Sequence, residues 1–393
     1  MDLKNSISDL TDVALRITKQ LLTTEGKDKN MVYSPLSIQV VLWLLTAGSK
    51  GPTKEQLLSF LKSNSTDQLN SLASHLVPLI FADGSAGGGP CLNFANGLWV
   101  QESLPIKPSF KEVVDTVHKA AIKQVNFKTN PEEARAEVNS WAEKATKGLI
   151  TEVLAPGTVQ TNTRLIFSNA LHFKADWSDP FDTSETLEED YFHLLDGTSV
   201  EARFMRSYDY QFVKAFDGFK VSKLPYEQGE DNERQFCMYL LLPDAKDGLP
   251  AFVERVCSEP DFLDRHRPET RVAVGAFVIP RFKISSGFEA SKVLMDVGLV
   301  LPFNGEGDLT GMVESSLDKA KIIHKSFIEV DEKGTEAAAV SLCDFDDEAD
   351  SDDEPFIPKT INFVADHPFM FIVREEVTGT VLFIGHVLNP LEE

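Results

Sequence analysis

One segment near the start of the chain has apolar side chains around its whole helical circumference. Ser34 followed by Pro35 is typical of a helix N-cap with proline in the first turn, and the predicted helix covers Leu36–Ala47. Large apolar residues occupy nearly every face of it: Ile38, Val40, Val41, Leu42, Trp43, Leu44 and Leu45. A helix of this kind must be buried on all sides. The core that it needs is large enough to require the whole chain, which favours one domain over residues 1–393.

Other segments predict helices in the first part of the chain and strands in the rest. Residues 6–23 have amphipathic periodicity, with Ser6 and Asp9 at capping-box spacing. Further helices are predicted to open at Thr53, with Gln56 completing a second box, and at Asn130, which precedes Pro131. Predicted strands are rich in β-branched and aromatic residues: Leu165–Phe173, Phe236–Leu242, Val272–Ile279, Phe282–Ile284, Ile322–Val330, Phe369–Val373 and Val381–Val387. Helices followed by strands without a linker predict an α+β domain.

Composition excludes several classes of function. The chain has 38 Lys+Arg against 61 Asp+Glu, so its net charge of −23 argues against nucleic-acid binding. No apolar stretch approaches the length that spans a bilayer, so no membrane partner is expected. The eight His residues lack metal-ligand spacing, and no GxSxG, Walker or GxGxxG motif occurs. We therefore expect no metal, no cofactor and no enzymatic activity, and the protein is expected to be a monomer.

The first residues and the cysteines indicate the compartment. The start, MDLKN, lacks the charged-then-apolar pattern of a secretory signal, so a cytoplasmic or nucleocytoplasmic location is predicted, with an extracellular one as the alternative. The cysteines are scattered without CxxC spacing and are expected to be reduced: Cys91, Cys237, Cys257 and Cys343. The Gly-rich residues 84–90 are expected to form a flexible surface loop.

The connection between Asp331 and Lys359 is unusually long for a compact domain, and such loops are often functional. From Thr335 onward, alternate residues are small and nearly uncharged, whereas the charges fall on the opposite face. This alternation is typical of a strand that could enter a sheet. The sequence Glu-Ala-Ala-Ala is equally good helix sequence, and propensity does not choose between the two. The next residues, Asp344–Glu354, are a solvated acidic run in which eight of eleven residues are Asp or Glu.

Four segments in this order resemble the serpin family over essentially the whole chain. Residues 30–38 (NMVYSPLSI) are similar to the segment that opens the family's second helix, and residues 169–177 (NALHFKADW) to its central strand. Residues 332–339 (EKGTEAAA) are similar to the hinge of its reactive-centre loop, and residues 363–371 (FVADHPFMF) to its C-terminal signature. The last segment and the acidic composition are most similar to plant serpins.

The resemblance implies a single-domain α+β fold, with N-terminal helices around a large central mixed β-sheet, two smaller sheets and an exposed reactive-centre loop at residues 331–362. It also implies a suicide-substrate inhibitor. A target endopeptidase cleaves the loop, and the hinge then inserts into the central sheet as an extra strand and traps the acyl-enzyme. The hinge residues implied are Glu332, Gly334, Thr335, Glu336, Ala337, Ala338 and Ala339. The resemblance also implies a polar shutter beneath the sheet (Ser34, Ser37, Asn169 and His324) and a gate at its top (Trp177 and Thr186).

The family's nearly fixed hinge length places the reactive bond between Glu348 and Ala349, with Asp347 and Asp350 as alternatives. The expected target is a serine or cysteine endopeptidase that cleaves after acidic residues. The alternative function is a non-inhibitory serpin whose acidic loop binds a basic partner. Uncharged Thr335, Ala337 and Ala339 favour the inhibitor, because a charged side chain cannot enter a packed sheet.

Overall fold

The computed structural model describes residues 3–335 and 360–393. The helices of this part are α1 (Leu3–Thr23), α2 (Pro35–Ala47), α3 (Gly51–Phe60), α4 (Thr66–Ile80), α5 (Pro108–Thr116), α6 (Pro131–Ala145), α7 (Leu249–Ser258), α8 (Phe262–Arg265), α9 (Ala290–Asp296) and α10 (Leu301–Asn304). The predicted helix at residues 36–47 is confirmed, and Trp43 within it is completely buried. In the described residues, no helix combines the length and apolar character that crossing a membrane requires.

The strands are β1 (Met31–Tyr33), β2 (Cys91–Gln101), β3 (Ala121–Val125), β4 (Leu165–Asp176), β5 (Leu187–His193), β6 (Ser199–Ser207), β7 (Phe212–Phe216), β8 (Phe219–Pro225), β9 (Phe236–Pro243), β10 (Val274–Pro280), β11 (Phe282–Glu289), β12 (Lys321–Val330), β13 (Gly334–Thr335), β14 (Ile361–Val364), β15 (Phe369–Glu375) and β16 (Val381–Val387). All seven strands predicted from the sequence are present. Their ends differ by a few residues, as hydrogen bonding to neighbouring strands extends or trims them.

The strands form three sheets. The central sheet has the order β11-β12-β13-β4-β2-β3, the second β1-β16-β15-β9-β8-β7, and the third β14-β10-β6-β5. The predicted α+β fold with a large mixed sheet and two further sheets is confirmed. The second sheet equals the central one in strand number, and it is smaller only because its strands are shorter.

Each face of the central sheet packs against a different helix. On one face, called here the core face, β4 contacts α2, the fully buried helix. On the other, called the outer face, Ile166, Ala170 and Ile323 share a second apolar cluster with Val138 and Ala142 of α6. Successive residues of β4 and β12 therefore alternate between the main core and the space under α6.

Two of the capping predictions are wrong, and the third, Asn130, is confirmed in its position. Helix α1 begins at Leu3, so Ser6 lies inside it, and α3 begins at Gly51, so Thr53 does as well. The Thr53 hydroxyl instead accepts a hydrogen bond from the Asp308 N–H, and the Gln56 side chain accepts from the N–H groups of Val300 and Leu301. Gln56 thus connects α3 to the start of α10, and Thr53 connects it to the loop after α10. Asn130 is the N-cap of α6 but donates to Glu133 rather than accepting a backbone bond.

The Gly-rich residues 84–90 also differ from the expected flexible loop. The Gly87 carbonyl accepts a hydrogen bond from the Glu230 N–H at 2.9 Å. A Cβ on Gly89 would lie 2.5 Å from the Gln228 carbonyl oxygen, and one on Gly229 would lie 2.1 Å from that of Gly87. These glycines allow two loops to pack backbone against backbone.

Candidate functional site

Two residues of the predicted hinge divide the central sheet at one end. Over most of their length β12 and β4 pair directly and in parallel, with His324 opposite Asn169. Toward the end of β4, Gly334 and Thr335 lie between the two strands as β13. Thr335 pairs with Val330 of β12 on one side and with Ala175 of β4 on the other, antiparallel to both. Gly334 and Thr335 therefore form a two-residue strand inside the central sheet.

Gly334 occupies a position that has no space for a side chain. A Cβ at this residue would lie 2.1 Å from the Ala175 carbonyl oxygen and 2.6 Å from the Cα of Asp176. Both atoms belong to the backbone of β4, so neither can move aside without distorting the strand. The close approach of the two backbones requires glycine here.

Thr335 is completely buried, and its hydroxyl lies 2.8 Å from the Tyr226 hydroxyl. Tyr226 is itself 1% exposed, and its ring stacks on Trp177 with 4.5 Å between ring centroids. Two buried hydroxyls that satisfy each other avoid the free-energy cost of an unpaired polar group. The arrangement fixes the hinge threonine on the core face of the sheet.

Glu332, the first residue of the predicted hinge, is held by an ion pair and a hydrogen bond. Its carboxylate accepts hydrogen bonds from the guanidinium of Arg281 and, at 2.6 Å, from the Thr186 hydroxyl, while its side chain is 4% exposed. Burial opposes ionisation of this carboxyl group, but the bonds from Arg281 and Thr186 outweigh burial and hold its pKa below the usual value. The side chain thus stays charged and paired at neutral pH.

The predicted gate residues both contact the residues that lead into β13. The Trp177 indole N–H donates to the Asp331 carbonyl at 3.0 Å, and the Trp177 backbone N–H donates to the Lys333 carbonyl at 2.7 Å. Thr186 binds Glu332 as described above. Asp331–Lys333 is therefore held at the top of the sheet through both side chains and backbone.

The predicted shutter residues meet on the core face, where β12 and β4 are in direct contact. The Ser34 N–H donates to His324 Nε2 at 3.1 Å, and His324 Nδ1 lies 2.9 Å from Asn169 Oδ1. Because Nε2 accepts, Nδ1 must hold the proton and donate to Asn169. Asn169 Nδ2 in turn donates to the side-chain oxygen of Asn96 on β2. The chain of bonds joins α2 to three adjacent strand residues.

The hydrogen bonds of the predicted shutter residues require a neutral His324. Burial lowers the pKa of His324 to about 3, so Nε2 remains an acceptor at neutral pH. Ser37 lies beside Ser34, its N–H donating to the Ser34 hydroxyl at 3.3 Å, and its own hydroxyl has no partner among the described residues. Separation of β12 from β4 must break the His324–Asn169 bond.

Three residues of the site were not found by sequence reasoning: Asn96, Tyr226 and Arg281. Each contacts a predicted site residue from a strand or loop that is distant in sequence, so no local pattern marks it. The other predicted hinge residues, Glu336, Ala337, Ala338 and Ala339, lie outside the described residues. So do the candidate reactive-bond residues Asp347, Glu348, Ala349 and Asp350.

Comparisons with known proteins agree with this geometry. The family model described as Serpin (serine protease inhibitor) matches residues 8–390. Serpin-ZX of Arabidopsis thaliana is 51% identical over 398 residues, covering 100% of both chains. Serpin-ZXA of Oryza sativa subsp. japonica is 46% identical, covering 99% of this chain and 98% of the relative. A solved structure of Arabidopsis AtSerpin1 in its native stressed conformation superposes with a TM-score of 0.91 at 50% identity, with full coverage of both chains.

Proposed function

Because this chain belongs to the serpin family, we propose that it inhibits an endopeptidase as a suicide substrate and is not itself an enzyme. The observation that supports the proposal is the placement of Gly334 and Thr335 between β12 and β4. An extra strand could continue from Thr335 along the line where β12 and β4 now pair. The hinge is thus positioned to start an insertion without a preceding rearrangement of its first residues.

The proposed reaction begins when a protease nucleophile attacks the carbonyl carbon of Glu348. The Glu348–Ala349 peptide bond breaks, the amine of Ala349 leaves with a proton, and the Glu348 acyl group stays on the protease. The hinge then inserts, and the attached protease moves to the far end of the sheet. Insertion breaks the bond between His324 and Asn169 and replaces the direct β12–β4 ladder by two ladders to the new strand.

The acidic residues near the proposed bond support a target that cleaves after Asp or Glu. A glutamate side chain fits a basic specificity pocket, whereas trypsin-like and chymotrypsin-like pockets require basic or large apolar residues. We propose a serine or cysteine endopeptidase of acidic specificity as the partner.

The test is incubation with a glutamyl endopeptidase, with trypsin and with chymotrypsin, followed by denaturing electrophoresis. We expect a covalent complex that survives SDS with the glutamyl endopeptidase only. The matched variant Glu348→Arg should form that complex with trypsin and lose it with the glutamyl endopeptidase. Thermal unfolding before and after loop cleavage provides the second measurement. Cleavage without a complex and without a rise in Tm would contradict inhibition and favour the non-inhibitory alternative.

A further inference from the structure

The segment that is proposed to insert has acidic residues in its second half. A carboxylate that enters a sheet without a partner opposes insertion. Asp344 and Asp346 lie outside the described residues, so their position after insertion must be obtained from the register that β13 begins. Thr335 pairs with Ala175 of β4 and Val330 of β12, antiparallel to both. Each further residue of the inserted strand therefore moves one residue back along both neighbours.

This register predicts which residues of the inserting segment face the core, and their size and polarity can be compared with those of their neighbours there. Six steps after Thr335, Ser341 falls between Asn169 and His324, the two residues whose hydrogen bond insertion must break. A small hydroxyl group thus arrives where the core face is polar. The intervening small residues Ala337 and Ala339 fall beside bulky neighbours, including Phe173 and Leu171. In this register, small side chains lie beside bulky neighbours, and the hydroxyl group of Ser341 lies beside polar ones.

The same register places the acidic residues beside basic ones. Nine steps after Thr335, Asp344 falls between Ile166 and Lys321, and eleven steps after it Asp346 falls between Arg164 and Lys319. Since the number of steps is odd, both carboxylates lie on the face opposite to Thr335, which is the outer face. Ile166 lies in the apolar cluster of that face.

The basic residues lie on this face. Lys321 lies two residues from Ile323 of the outer cluster and so on the same face. Its ammonium group donates to the Thr158 carbonyl at 3.1 Å and forms an ion pair with Glu289 at 3.1 Å, so Asp344 would join an existing ion pair. Arg164 continues the β4 ladder, because its carbonyl accepts a bond from the Gln101 N–H. Its guanidinium binds the carbonyls of Thr161 and Thr163 and, in the part of the chain that the structure describes, no carboxylate. Lys319 is exposed.

We propose that Arg164, Lys319 and Lys321 form a basic receptor at the lower end of the central sheet for the acidic half of this chain's own loop. The proposal rests on the proposed inhibitory function. Directly opposed charges on adjacent strands stabilise a sheet, whereas two unpaired carboxylates would oppose insertion. Pairing with the receptor would offset the free-energy cost of inserting the two carboxylates. The receptor spans the end of the sheet, because Lys321 is the first residue of β12, whereas Arg164 and Lys319 precede the first residues of β4 and β12.

Peptide competition on the intact full chain tests the receptor. A synthetic peptide of residues 336–347, which begins where β13 ends, and its Asp344→Asn variant are mixed in equal amounts with limiting protein, and the bound ratio is measured by mass spectrometry. The wild-type peptide should be preferred by about two- to five-fold at low salt. The control is a Glu336→Gln peptide, which loses the same charge on the same face. Glu336 falls opposite one base and one acid, Lys174 and Glu329, so this peptide should compete evenly with wild type.

Two further measurements complete the test. The Lys321→Glu protein should prefer an Asp344→Lys peptide over the wild-type peptide, and for the unmodified protein the preference should disappear at high salt. Even competition between the wild-type and Asp344→Asn peptides at low salt would overturn the receptor while leaving insertion intact. Failure of every peptide to give a thermally stabilised complex would instead contradict strand insertion, and with it the proposed function.

Discussion

The hydroxyl oxygens of Thr335 and Tyr226 lie 2.8 Å apart, although the residues are 109 positions apart in the chain. Both side chains are buried. The pair connects the second residue of β13 to the loop after β8, and it satisfies two hydroxyl groups that have no access to water. The retention of β13 in the sheet therefore depends on a single polar contact as well as on backbone bonds.

Tyr226→Phe is expected to loosen the hinge. The Thr335 hydroxyl would remain buried without its partner, at a cost of about 1–2 kcal/mol. Local release of β13 should become about five- to thirty-fold more frequent, and cleavage by trypsin after Lys333 should accelerate by the same factor. The matched control is Tyr239→Phe, a buried tyrosine whose hydroxyl binds Glu376 away from the hinge. Equal cleavage rates for the two variants would contradict the role of the pair.

If the chain inhibits as proposed, Thr335→Arg is expected to convert it from an inhibitor into a substrate. A guanidinium group cannot be accommodated in the buried site against Tyr226, so insertion would stop at residue 335. The measurable result is loop cleavage without an SDS-stable complex. Glu336→Arg introduces the same group on the opposite face of the strand and should retain complex formation. Inhibition by the Thr335→Arg variant would refute the assignment of the hinge.

Glu332→Gln is expected to lower the free energy of unfolding by about 1.5–3 kcal/mol at pH 7, because a charged hydrogen-bonded group is lost. The folded-state pKa of Glu332 lies below its unfolded value. Its contribution is therefore complete above the unfolded pKa of about 4.5 and is lost as the pH falls through the folded value. Urea unfolding at pH 7 and at low pH should give a large difference from wild type only at pH 7.

Asp176→Asn is the control for that measurement. Asp176 pairs with Lys333 across 3.6 Å, and its side chain is 44% exposed, so removal of its charge should change stability by at most about 1 kcal/mol. A similar loss in both variants would show that Glu332 is an ordinary surface charge.

The buried histidines predict a loss of stability in acid. Burial lowers the pKa of His324 to about 3 and those of His118 and His386 to about 4, against about 6.5 in an unfolded chain. Below pH 6.5 the unfolded state binds protons that the folded state does not bind. Stability is therefore complete above that pH and decreases progressively as the pH falls toward the folded pKa values.

Calorimetry of His324→Gln between pH 7 and pH 4.5 tests this account. Its Tm should be lower than that of wild type at pH 7, because the bond to Asn169 is altered, but should decrease less steeply with acid. His75→Gln replaces an exposed histidine and should follow the wild-type curve. Parallel curves for wild type and His324→Gln would contradict a neutral, buried His324.

The sequence predicted the helices and strands that are determined by neighbouring residues in the chain. The all-apolar helix at residues 36–47 identified the centre of the core. The strand-like alternation after Thr335 lies outside the described residues and stays a prediction. Local patterns failed where a side chain satisfies a distant partner. Thr53 and Gln56 have the spacing of a helix cap, yet they bind Asp308, Val300 and Leu301, because tertiary contacts compete with local capping.

The site was predictable only in part for the same reason. His324 and Asn169 were found through the resemblance to a family, but Asn96, which completes their chain of hydrogen bonds, lies on another strand. Arg281 pairs with Glu332 across 51 positions. A lone arginine at the end of one strand does not reveal its partner, since either charge alone is typical of an exposed surface.

The two central strands, β12 and β4, run in the same direction, whereas β13 runs against both of them. Parallel pairing is slightly less stable per residue than antiparallel pairing, because its hydrogen bonds are slanted. A strand that continues β13 would exchange one parallel ladder for two antiparallel ladders. Part of the free energy of the proposed insertion therefore comes from the direction of the strands, which a substitution of a side chain does not change.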